Sequence, residues 1–331
     1  MRKTKWGILG CAHIALRSII PAIKASKNAE VYGIASRNLK KAEEVAGNFG
    51  IPKTFSSYEK LLEDTDIEIV YIPLPNSMHK EWTIKSAKNG KHVLCEKPLS
   101  LNSLEAEEMV AACKANSKFL MDGFMYRFHP QHKKVFSLLD SGYIGNLKIV
   151  KATLEMDFMN NKEDIRFNPK MGGGGLMDLG VYCVNAARWF MKSEPQSVWA
   201  LADFDQKTGV DIVLTAQMKF PENRVSLIQT GMSLPGESSY TLIGTEGMAV
   251  VDDAFVPAKD KRTCVSVYKN GFKPETFRIE PADQYQIEVE YFSECVKEDK
   301  PVEYPFENGL KNMKVVDALF ASVQSGGVVQ L

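Results

Sequence analysis

The chain has 331 residues, more than a single hydrophobic core usually supports, so two domains are expected. Basic and acidic residues number 41 each, and the resulting formal net charge of zero argues against a nucleic-acid partner held by bulk positive charge. No long apolar leader precedes Trp6, and the six scattered cysteines form no C-x-x-C pair, so we expect a cytoplasmic protein with reduced thiols, no membrane segment and no metal site.

The first part of the chain alternates short apolar runs with amphipathic runs, a pattern typical of parallel βαβ units. Nearly continuous apolar strands are expected where helices cover both faces of a sheet, so we predict a doubly wound Rossmann domain over residues 1–122. Pro21 should kink or shorten the first helix, and Asn102 with Glu105 should cap the last one. The strands are predicted at Trp6–Leu9, Val31–Ala35, Ile67–Ile72, His92–Cys95 and Phe119–Asp122, and the helices at about Ile14–Ala25, Leu39–Phe49, His79–Asn89 and Ser103–Asn116.

The turn after the first strand carries the first candidate cofactor residues. It reads GILGCAHIA, and the dinucleotide fingerprint G-x-G-x-x-G/A aligns best with Gly10, Ala12 and Ala15. Ala12 replaces the middle glycine, so a purely structural βα turn remains an alternative. The position of the turn, between the first strand and the first helix, favours a pyrophosphate site at the helix amino terminus. We therefore predict cofactor contacts from Gly10, Ala12, His13 and Ile14.

The end of the second strand indicates which cofactor is bound. An NAD-preferring site usually has an acidic residue here that binds the ribose hydroxyls, whereas this chain has Ser36, Arg37 and Asn38, followed by Lys40 and Lys41. A hydroxyl group and a cation at this edge suit a 2′-phosphate, and we predict NADP(H) with contacts from Ser36 and Arg37. The alternative is a solvated basic start of a helix.

The segment after the third predicted strand reads YIPLPNSMH. Its prolines stiffen a turn, and its polar side chains are predicted near the same edge of the sheet. We predict cofactor contacts from Pro73, Leu74, Asn76 and His79, although a histidine at a helix start is more often structural than catalytic.

The strand within VLCEKPL ends in Glu96, Lys97 and Pro98. A proline disfavours helical dihedrals at the residue before it, so Lys97 is held in an extended conformation. In a parallel sheet its ammonium would lie at the carboxyl edge, where open α/β folds bind their ligands. A surface lysine that merely ends a buried strand is the alternative.

Beyond Gly123 the hydrophobic period changes to alternation, which marks strands with one buried face. A largely antiparallel sheet is therefore predicted in a second domain, residues 123–331, with two late helices at about Ala282–Lys297 and Glu307–Val323. Its outer face is mixed in character, with Val213 among Asp211, Thr215 and Gln217. The strands are predicted at Leu147–Phe158, Ser197–Phe204, Val210–Phe220, Arg224–Leu234, Ser239–Ile243, Cys264–Lys269 and Thr276–Ile279.

Four consecutive glycines, residues 172–175, predict a loop of close approach immediately before a helix, because glycine destabilises helix interiors. In that helix Asp178, Tyr182 and Asn185 have the spacing i, i+4, i+7 and share one face. A tyrosine on a helix is usually a packing residue, but a carboxylate, a phenol and an amide aligned beside a glycine loop favour a site.

These segments resemble those of the glucose-fructose oxidoreductase and inositol dehydrogenase (Gfo/Idh/MocA) family. The matching segments are GILGCAHIA, ASR, PLPNSMH, CEKP, GFMYRFHPQH and GGGGLMDLGVY, in this order. The resemblance covers nearly the whole chain. It implies a Rossmann domain followed by an α/β domain whose open, mainly antiparallel sheet often forms dimers or tetramers. Within the family the chain is similar to NADPH-dependent ketoreductases acting at C3 of nucleotide-linked deoxysugars.

The resemblance also implies roles for individual residues. Lys97 matches the catalytic lysine, Tyr182 matches the candidate proton donor, and Asp178 would orient one of them. Which of Lys97 and Tyr182 is the final proton donor stays open. The resemblance adds cofactor contacts from Glu96, Lys97 and Arg166 and substrate contacts from Lys97, Arg127, Asp178, Tyr182 and Asn185.

The sequence therefore predicts an NADP(H)-dependent oxidoreductase that transfers hydride between the nicotinamide and a carbonyl or hydroxyl group of a cyclic sugar. A reductase of a nucleotide-linked or free ketosugar is the main interpretation. One alternative is an aldose (xylose-type) or trans-dihydrodiol dehydrogenase, and another is an NADP-sensing binding protein, against which the presence of both Lys97 and Tyr182 speaks. A homodimer or homotetramer is expected.

Overall fold

A computed structural model describes residues 2–269, 273–303 and 307–331. The chain forms two compact units, one made of Met1–Met125 with Gln284–Leu310 and the other of Tyr126–Asp283 with Lys311–Leu331. The predicted domain boundary after residue 122 lies three residues before the end of the first segment of the amino-terminal unit, Met125. Residues 284–303 differ from the prediction, because they pack with the amino-terminal unit although they come late in the chain.

The strands and helices keep one numbering along the chain. The strands are β1 (Thr4–Leu9), β2 (Ala29–Ala35), β3 (Lys53–Phe55), β4 (Ile69–Ile72), β5 (His92–Cys95), β6 (Leu120–Asp122), β7 (Leu147–Glu155), β8 (Ser197–Phe204), β9 (Asp211–Phe220), β10 (Arg224–Gly231), β11 (Glu237–Gly244), β12 (Gly247–Asp252), β13 (Thr263–Lys269), β14 (Glu275–Ile279) and β15 (Val329–Gln330). The helices are α1 (Ile20–Ala25), α2 (Leu39–Phe49), α3 (Tyr58–Glu63), α4 (His79–Lys88), α5 (Ser103–Ala115), α6 (Pro130–Asp140), α7 (Val181–Met191), α8 (Gln284–Glu298) and α9 (Glu307–Ser325).

The sheet of the first unit is parallel, with strand order β3-β2-β1-β4-β5-β6. This is the order of the doubly wound dinucleotide-binding fold, and it confirms the predicted class. The order reverses between β1 and β4, so the ligand crevice is expected beyond the carboxyl ends of these strands. β3 was not predicted, because three half-buried residues carry too little apolar pattern to mark a strand.

Two local predictions in the first unit are confirmed. Pro21 lies in the first turn of α1, and a π-helical segment, Ala15–Ile19, directly precedes that helix, so the predicted irregularity is present. At the start of α5 the side chain of Asn102 accepts a hydrogen bond from the backbone N–H of Glu105 at 2.9 Å, and the Glu105 carboxylate accepts one from the N–H of Leu101. Reciprocal bonds of this kind satisfy N–H groups that a helix start leaves without partners.

Helix α8 belongs to the first unit because it packs against β1. The indole N–H of Trp6, on β1, donates to the hydroxyl oxygen of Ser293 at 2.9 Å, and the Trp6 ring meets the Phe292 ring edge-on. Asn28 also donates to the backbone oxygen of Glu290 at 2.8 Å. These contacts join positions more than 250 residues apart, which local periodicity cannot indicate.

The second unit has a nine-stranded sheet in the order β14-β13-β12-β11-β7-β10-β9-β8-β15. It is antiparallel apart from the β7–β10 pair, as predicted. On β9 the buried residues Leu214, Ala216 and Met218 alternate with the exposed Thr215 and Gln217, so one face of the strand is core and the other is solvated. Helix α6 and the strands β12 and β15 were not predicted. No helix in the described part of the chain is both long and apolar enough to cross a membrane.

Candidate active site

The turn after β1 has the geometry of a phosphate-binding turn. Gly10 adopts φ +94°, and its N–H donates to the Ala35 oxygen at 2.8 Å. A Cβ atom on Gly10 would lie 3.1 Å from Cδ2 of Leu74, so both backbone conformation and space favour glycine here. The N–H of Leu16 donates back to the Ala12 oxygen, so a helical turn begins at Ala12. Ala12, His13 and Ile14 therefore contribute the first N–H groups of a helix, which suit a pyrophosphate.

The edge after β2 is basic. Ser36 is buried, and its hydroxyl oxygen accepts the N–H of Asn38 at 3.1 Å, which fixes the chain as it enters α2. Arg37, Lys40 and Lys41 are exposed, and no acidic residue lies between Ser36 and Lys41. These residues fit a phosphorylated ribose better than a bare one.

Cys11 links this edge to the turn after β1. Its sulfur lies 4.0 Å from the Lys41 backbone oxygen. Burial raises the pKa of its thiol, while Lys41 and Ser36 oppose the rise. The glycine turn and the start of α2 are thus neighbours, as one dinucleotide site requires.

The structure corrects the role predicted for His79. Its side chain is 0% exposed, with Nε2 2.8 Å from the Leu74 oxygen and Nδ1 2.9 Å from the Pro98 oxygen. Both ring nitrogens therefore face backbone carbonyls, and burial lowers the pKa of the imidazole. His79 joins the loop after β4 to the loop that follows Lys97, and its ring is not available to the cofactor. Pro73 and Leu74 lie in the first of these loops, and Asn76 begins a short 3₁₀ helix after it.

Lys97 lies two residues beyond the carboxyl end of β5, and the carboxylate before it is tightly held. Tyr71 donates to Oε1 of Glu96 at 2.5 Å, and the backbone N–H of Lys97 donates to Oε2 of Glu96 at 3.2 Å. Burial and the Glu96 carboxylate raise the pKa of Tyr71, so its phenol stays protonated and donates. Glu96 thus fixes the backbone from which the Lys97 side chain extends.

A further acid in the first unit was missed by sequence reasoning. Glu288, on α8, is 1% exposed, and burial together with the charges of Glu96 and Asp122 raises its pKa well above the usual range. Burial therefore favours the neutral acid at this position. No sequence signal could have placed it near Glu96, because that depends on the long-range packing of α8.

In the second unit the glycine loop is tightly enclosed. The N–H of Gly174 donates to the Arg166 oxygen at 2.9 Å, and a Cβ on Gly173 would lie 2.4 Å from that same oxygen. Gly174 has φ +120°, which side-chain-bearing residues rarely adopt. A π-helical segment, Leu176–Gly180, follows at once and continues into α7. Such segments often occur at functional sites.

Asp178 is held by Arg166 in the second unit. The guanidinium Nε donates to Oδ2 of Asp178 at 2.7 Å, and a second nitrogen donates to Asp164 at 3.1 Å. Burial disfavours the charge on Arg166, but the two carboxylates outweigh burial and raise its pKa. The Arg166 cation also lies 4.7 Å from the centre of the Phe158 ring. Cofactor contact by Arg166 stays a prediction, whereas its contact with Asp178 is direct.

Tyr182 and Asn185 have different surroundings. Tyr182 is 4% exposed, and its ring centroid lies 5.8 Å from those of Tyr126 and Phe255. Asn185 is 1% exposed, and its Oδ1 accepts the hydroxyl of Tyr126 at 2.7 Å. The Asn185 amide nitrogen is buried and has no hydrogen-bond partner in the described part of the chain, so substrate contact by Asn185 stays a prediction.

Arg127 is also largely buried. Its guanidinium carbon lies 4.6 Å from the centre of the Trp189 ring, a stacked cation–π arrangement. Substrate contact by Arg127 stays a prediction.

The aromatic surroundings of Tyr182 include a buried histidine that sequence reasoning did not single out. Nδ1 of His132 lies 2.8 Å from the hydroxyl of Tyr240, and its ring packs edge-on against Tyr126. Burial lowers the pKa of His132 to about 3, so the ring is neutral at ordinary pH. The density of aromatic and histidine residues in GFMYRFHPQH is the only signal that pointed to this cluster.

Two family models match the chain. One, described as "Oxidoreductase family, NAD-binding Rossmann fold", matches residues 4–124, and another, the "GFO/IDH/MocA C-terminal domain", matches residues 132–250. With relatives similar over nearly their full length, they show that the chain belongs to the Gfo/Idh/MocA family of oxidoreductases. The predicted class of enzyme and the predicted nicotinamide dinucleotide cofactor are thereby confirmed.

Individual proteins are similar to this chain over nearly its full length. D-xylose 1-dehydrogenase (NADP(+)) 2 of Haloferax volcanii is 33% identical, covering 98% of this chain and 99% of the relative. dTDP-3,4-didehydro-2,6-dideoxy-alpha-D-glucose 3-reductase of Actinomadura kijaniata is 31% identical, covering 95% of this chain and 93% of the relative. The solved structure of a 3-ketoreductase from Actinomadura kijaniata in complex with NADP and TDP-benzene matches with a TM-score of 0.92 at 30% identity, covering 97% of this chain and 98% of that one.

Proposed function

We propose that this protein is an NADP(H)-dependent reductase of a ketosugar, acting on a pyranose that is nucleotide-linked or free. The observation that carries the proposal is the full-length structural match, at a TM-score of 0.92, to a 3-ketoreductase bound to NADP and TDP-benzene. Lys97 and Tyr182 are the residues of this chain that we assign to the chemistry.

The preference for NADP(H) rests on the edge after β2. Ser36, Arg37 and Lys41 offer a hydroxyl group and cations where an NAD-binding site would have a carboxylate. Arginine binds phosphate through two parallel N–H donors, so Arg37 is assigned to the 2′-phosphate.

The roles of the two catalytic residues follow from the charge that the reaction creates. The bound nicotinamide supplies the hydride, and negative charge develops on the carbonyl oxygen of the sugar. Lys97 supplies positive charge to that oxygen, and Tyr182 donates the proton that completes the alcohol. Glu96 holds the backbone of Lys97, and Arg166 holds Asp178 on the same helical run as Tyr182.

A second candidate is an aldose dehydrogenase acting in the oxidative direction. It is favoured by the 33% identity to an NADP-dependent D-xylose 1-dehydrogenase over nearly the full length of both chains. The chemistry is the reverse of the reduction, with the Tyr182 phenolate accepting the proton of the hydroxyl group beside the Lys97 ammonium.

A substrate panel separates these candidates. Ketosugars, aldoses and nucleotide sugars are incubated with the protein, and NADPH absorbance is followed in both directions. Oxidation of NADPH by ketosugars supports the proposal, and nucleotide-linked substrates should show the higher kcat/KM if the nucleotide is recognised. Reduction of NADP(+) by xylose or glucose alone supports the second candidate. Binding of NADPH without turnover of any sugar rejects both.

A further inference from the structure

Asp211 lies on the opposite face of β9 from the one that the sequence pattern predicts. The period of two on β9 places Asp211 with Thr215 and Gln217 on the outer face, yet Asp211 is 2% exposed. The reason is a register irregularity, since Asp203 pairs with Val213 while Phe204 pairs with Asp211. Ile212 is the extra residue of a β-bulge, and a bulge changes the direction in which the neighbouring side chain points. The bulge therefore turns Asp211 into the interior.

The inward carboxylate meets the start of the helical run that carries Tyr182. Oδ2 of Asp211 accepts the backbone N–H of Leu176 at 2.6 Å, and Leu176 is the first residue of the π-helical segment before α7. The amino terminus of a helix has N–H groups without helical partners and a partial positive charge, so an anion here fixes and stabilises it.

The glycine loop closes around the same carboxylate. A Cβ atom on Gly174 would lie 2.1 Å from Oδ1 of Asp211, and one on Gly175 would lie 3.3 Å from Oδ2. The loop is therefore glycine-rich partly because this carboxylate occupies the space that side chains would need. The next contact is from the Gly174 N–H to the Arg166 oxygen, and the Arg166 side chain binds Asp178. A short series of direct contacts thus joins Asp211 to Asp178.

The cost of burying the Asp211 carboxylate opposes the stabilisation that it gives to the helix start. Burial raises the pKa of Asp211 to about 6, although backbone N–H groups partly offset the effect. At neutral pH the protein therefore buries a charged carboxylate for which asparagine is a neutral substitute of similar size. A buried charge with no cationic partner in the described part of the chain is costly, which indicates a role other than packing.

We propose that Asp211 is a positioning residue, whose carboxylate fixes the glycine loop and the helix amino terminus and thereby sets the orientation of Asp178 and Tyr182 in the reaction. The proposal rests on the proposed function to the extent that Asp178 and Tyr182 serve catalysis. Asp211 itself acts only through the backbone of Leu176 and the loop.

The test compares Asp211→Asn with Asp205→Asn. Asp205 is a second buried aspartate of the same β8–β9 connection, where it binds Lys162 and the turn at Thr208 and is not part of the site. We expect Asp211→Asn to lower kcat by about 10-fold or more, because small misplacements of reacting groups are costly. The dissociation constant for NADPH should not change, and Tm should be equal or higher. Asp205→Asn should leave kcat unchanged and lower Tm.

A second readout does not depend on turnover. Hydrogen exchange of the peptide covering residues 172–182 should accelerate in Asp211→Asn and not in Asp205→Asn. The carboxylate of Asp211 accepts backbone N–H groups of Leu176 and Gly175, whereas an asparagine offers one neutral acceptor oxygen and an NH2 group that cannot accept. If the wild-type protein turns over no sugar, the proposed function fails and the exchange result alone decides on the loop. Unchanged exchange, or a kcat within twofold of wild type, overturns the proposal. So does failure of both Asp211→Asn and Asp211→Ser to fold, which would make Asp211 a folding residue.

Discussion

Arg166 donates a hydrogen bond from Nε to Oδ2 of Asp178 at 2.7 Å, and so joins two motifs that the sequence presents separately. Residues 164–166, which precede the glycine loop, supply the arginine, and the helical run after the loop supplies the carboxylate. Because the pair is only partly exposed, it is screened less than a surface ion pair and keeps a defined geometry. Asp178 is thereby held in one orientation on the helical run that carries Tyr182.

We expect Arg166→Lys to lower kcat by about 10-fold with a smaller effect on NADPH binding, since an ammonium keeps the charge and loses the fixed direction of Nε. Steady-state kinetics and a fluorescence titration with NADPH measure the two effects. Arg262→Lys is the matched control, because Arg262 forms an exposed pair with Glu280 in the same unit. Equal activity of Arg166→Lys and wild type would show that the geometry of this pair is dispensable.

We expect Arg37→Ala to raise the dissociation constant for NADPH by about 10-fold or more and to change that for NADH little, because only NADPH carries the 2′-phosphate. Both constants are measured by titration of cofactor fluorescence. Lys27→Ala removes one positive charge next to the opposite end of β2 and should change neither constant. Equal affinity of the wild-type protein for NADPH and NADH would contradict the assignment of Arg37.

We expect Lys97→Met to abolish turnover and leave NADPH binding intact, because the ammonium is assigned to the developing oxyanion. Tyr182→Phe should lower kcat by roughly 10²-fold or more if the phenol is the general acid. Rapid mixing with NADPH isolates the chemical step.

The two substitutions also decide which residue donates the proton. A Tyr182→Phe enzyme with unchanged kcat and an unchanged pH profile, measured where chemistry limits the rate, would leave Lys97 as the sole acid. Substantial turnover by Lys97→Met would remove the lysine from the mechanism.

We expect a symmetric homo-oligomer assembled through the outer face of the nine-stranded sheet. Trp199, Leu201 and Leu227 are 37%, 53% and 39% exposed on this face. Trp199 and Leu227 line one shallow depression with Lys151 and Gln229. Apolar side chains grouped on a solvated face are typical of a protein–protein contact. Light scattering should give a multiple of the 37.0 kDa chain mass.

Leu201→Glu should shift this assembly toward the monomer, whereas Leu104→Glu, at a 71% exposed leucine of the first unit, should not. A single-chain mass for the wild-type protein across a wide concentration range would rule the assembly out.

We expect the free energy of unfolding to fall as the pH drops below about 6.5, because His132 must fold uncharged. Its pKa is lowered to about 3 in the folded protein, so below its ordinary pKa the unfolded chain binds the extra proton. The stability that comes from keeping His132 uncharged is fully present above pH 6.5 and is lost progressively toward pH 3. Each unit by which the pKa is lowered corresponds to about 1.4 kcal/mol in the free energy of unfolding.

Urea unfolding between pH 7 and pH 5 measures this dependence. His132→Gln cannot be charged and should show a shallower loss of stability with acid. Identical slopes for the two proteins would mean that His132 does not control the acid side of the stability curve.

Hydrophobic period and turn chemistry predicted the two sheets, the order of the main elements and the glycine loop. These features are local. A strand buried on both faces of a parallel sheet is apolar almost throughout, whereas a strand with one solvated face alternates apolar and polar residues, and about ten residues are enough to tell the two patterns apart. The same local rules placed Gly10 in the turn between the first strand and the first helix and Lys97 at a strand end, because both positions depend on nearest neighbours in the chain.

Tertiary structure alone decided which polar groups are available to ligands. His79 lies in a segment predicted to contact the cofactor, yet backbone carbonyls face both of its ring nitrogens. A bulge of one residue turned Asp211 from the outer face to the glycine loop, and the packing of α8 on β1 brought Glu288 into the first unit. The positions of these side chains depend on the pairing register of the strands and on contacts between distant segments, and the local sequence pattern indicates neither.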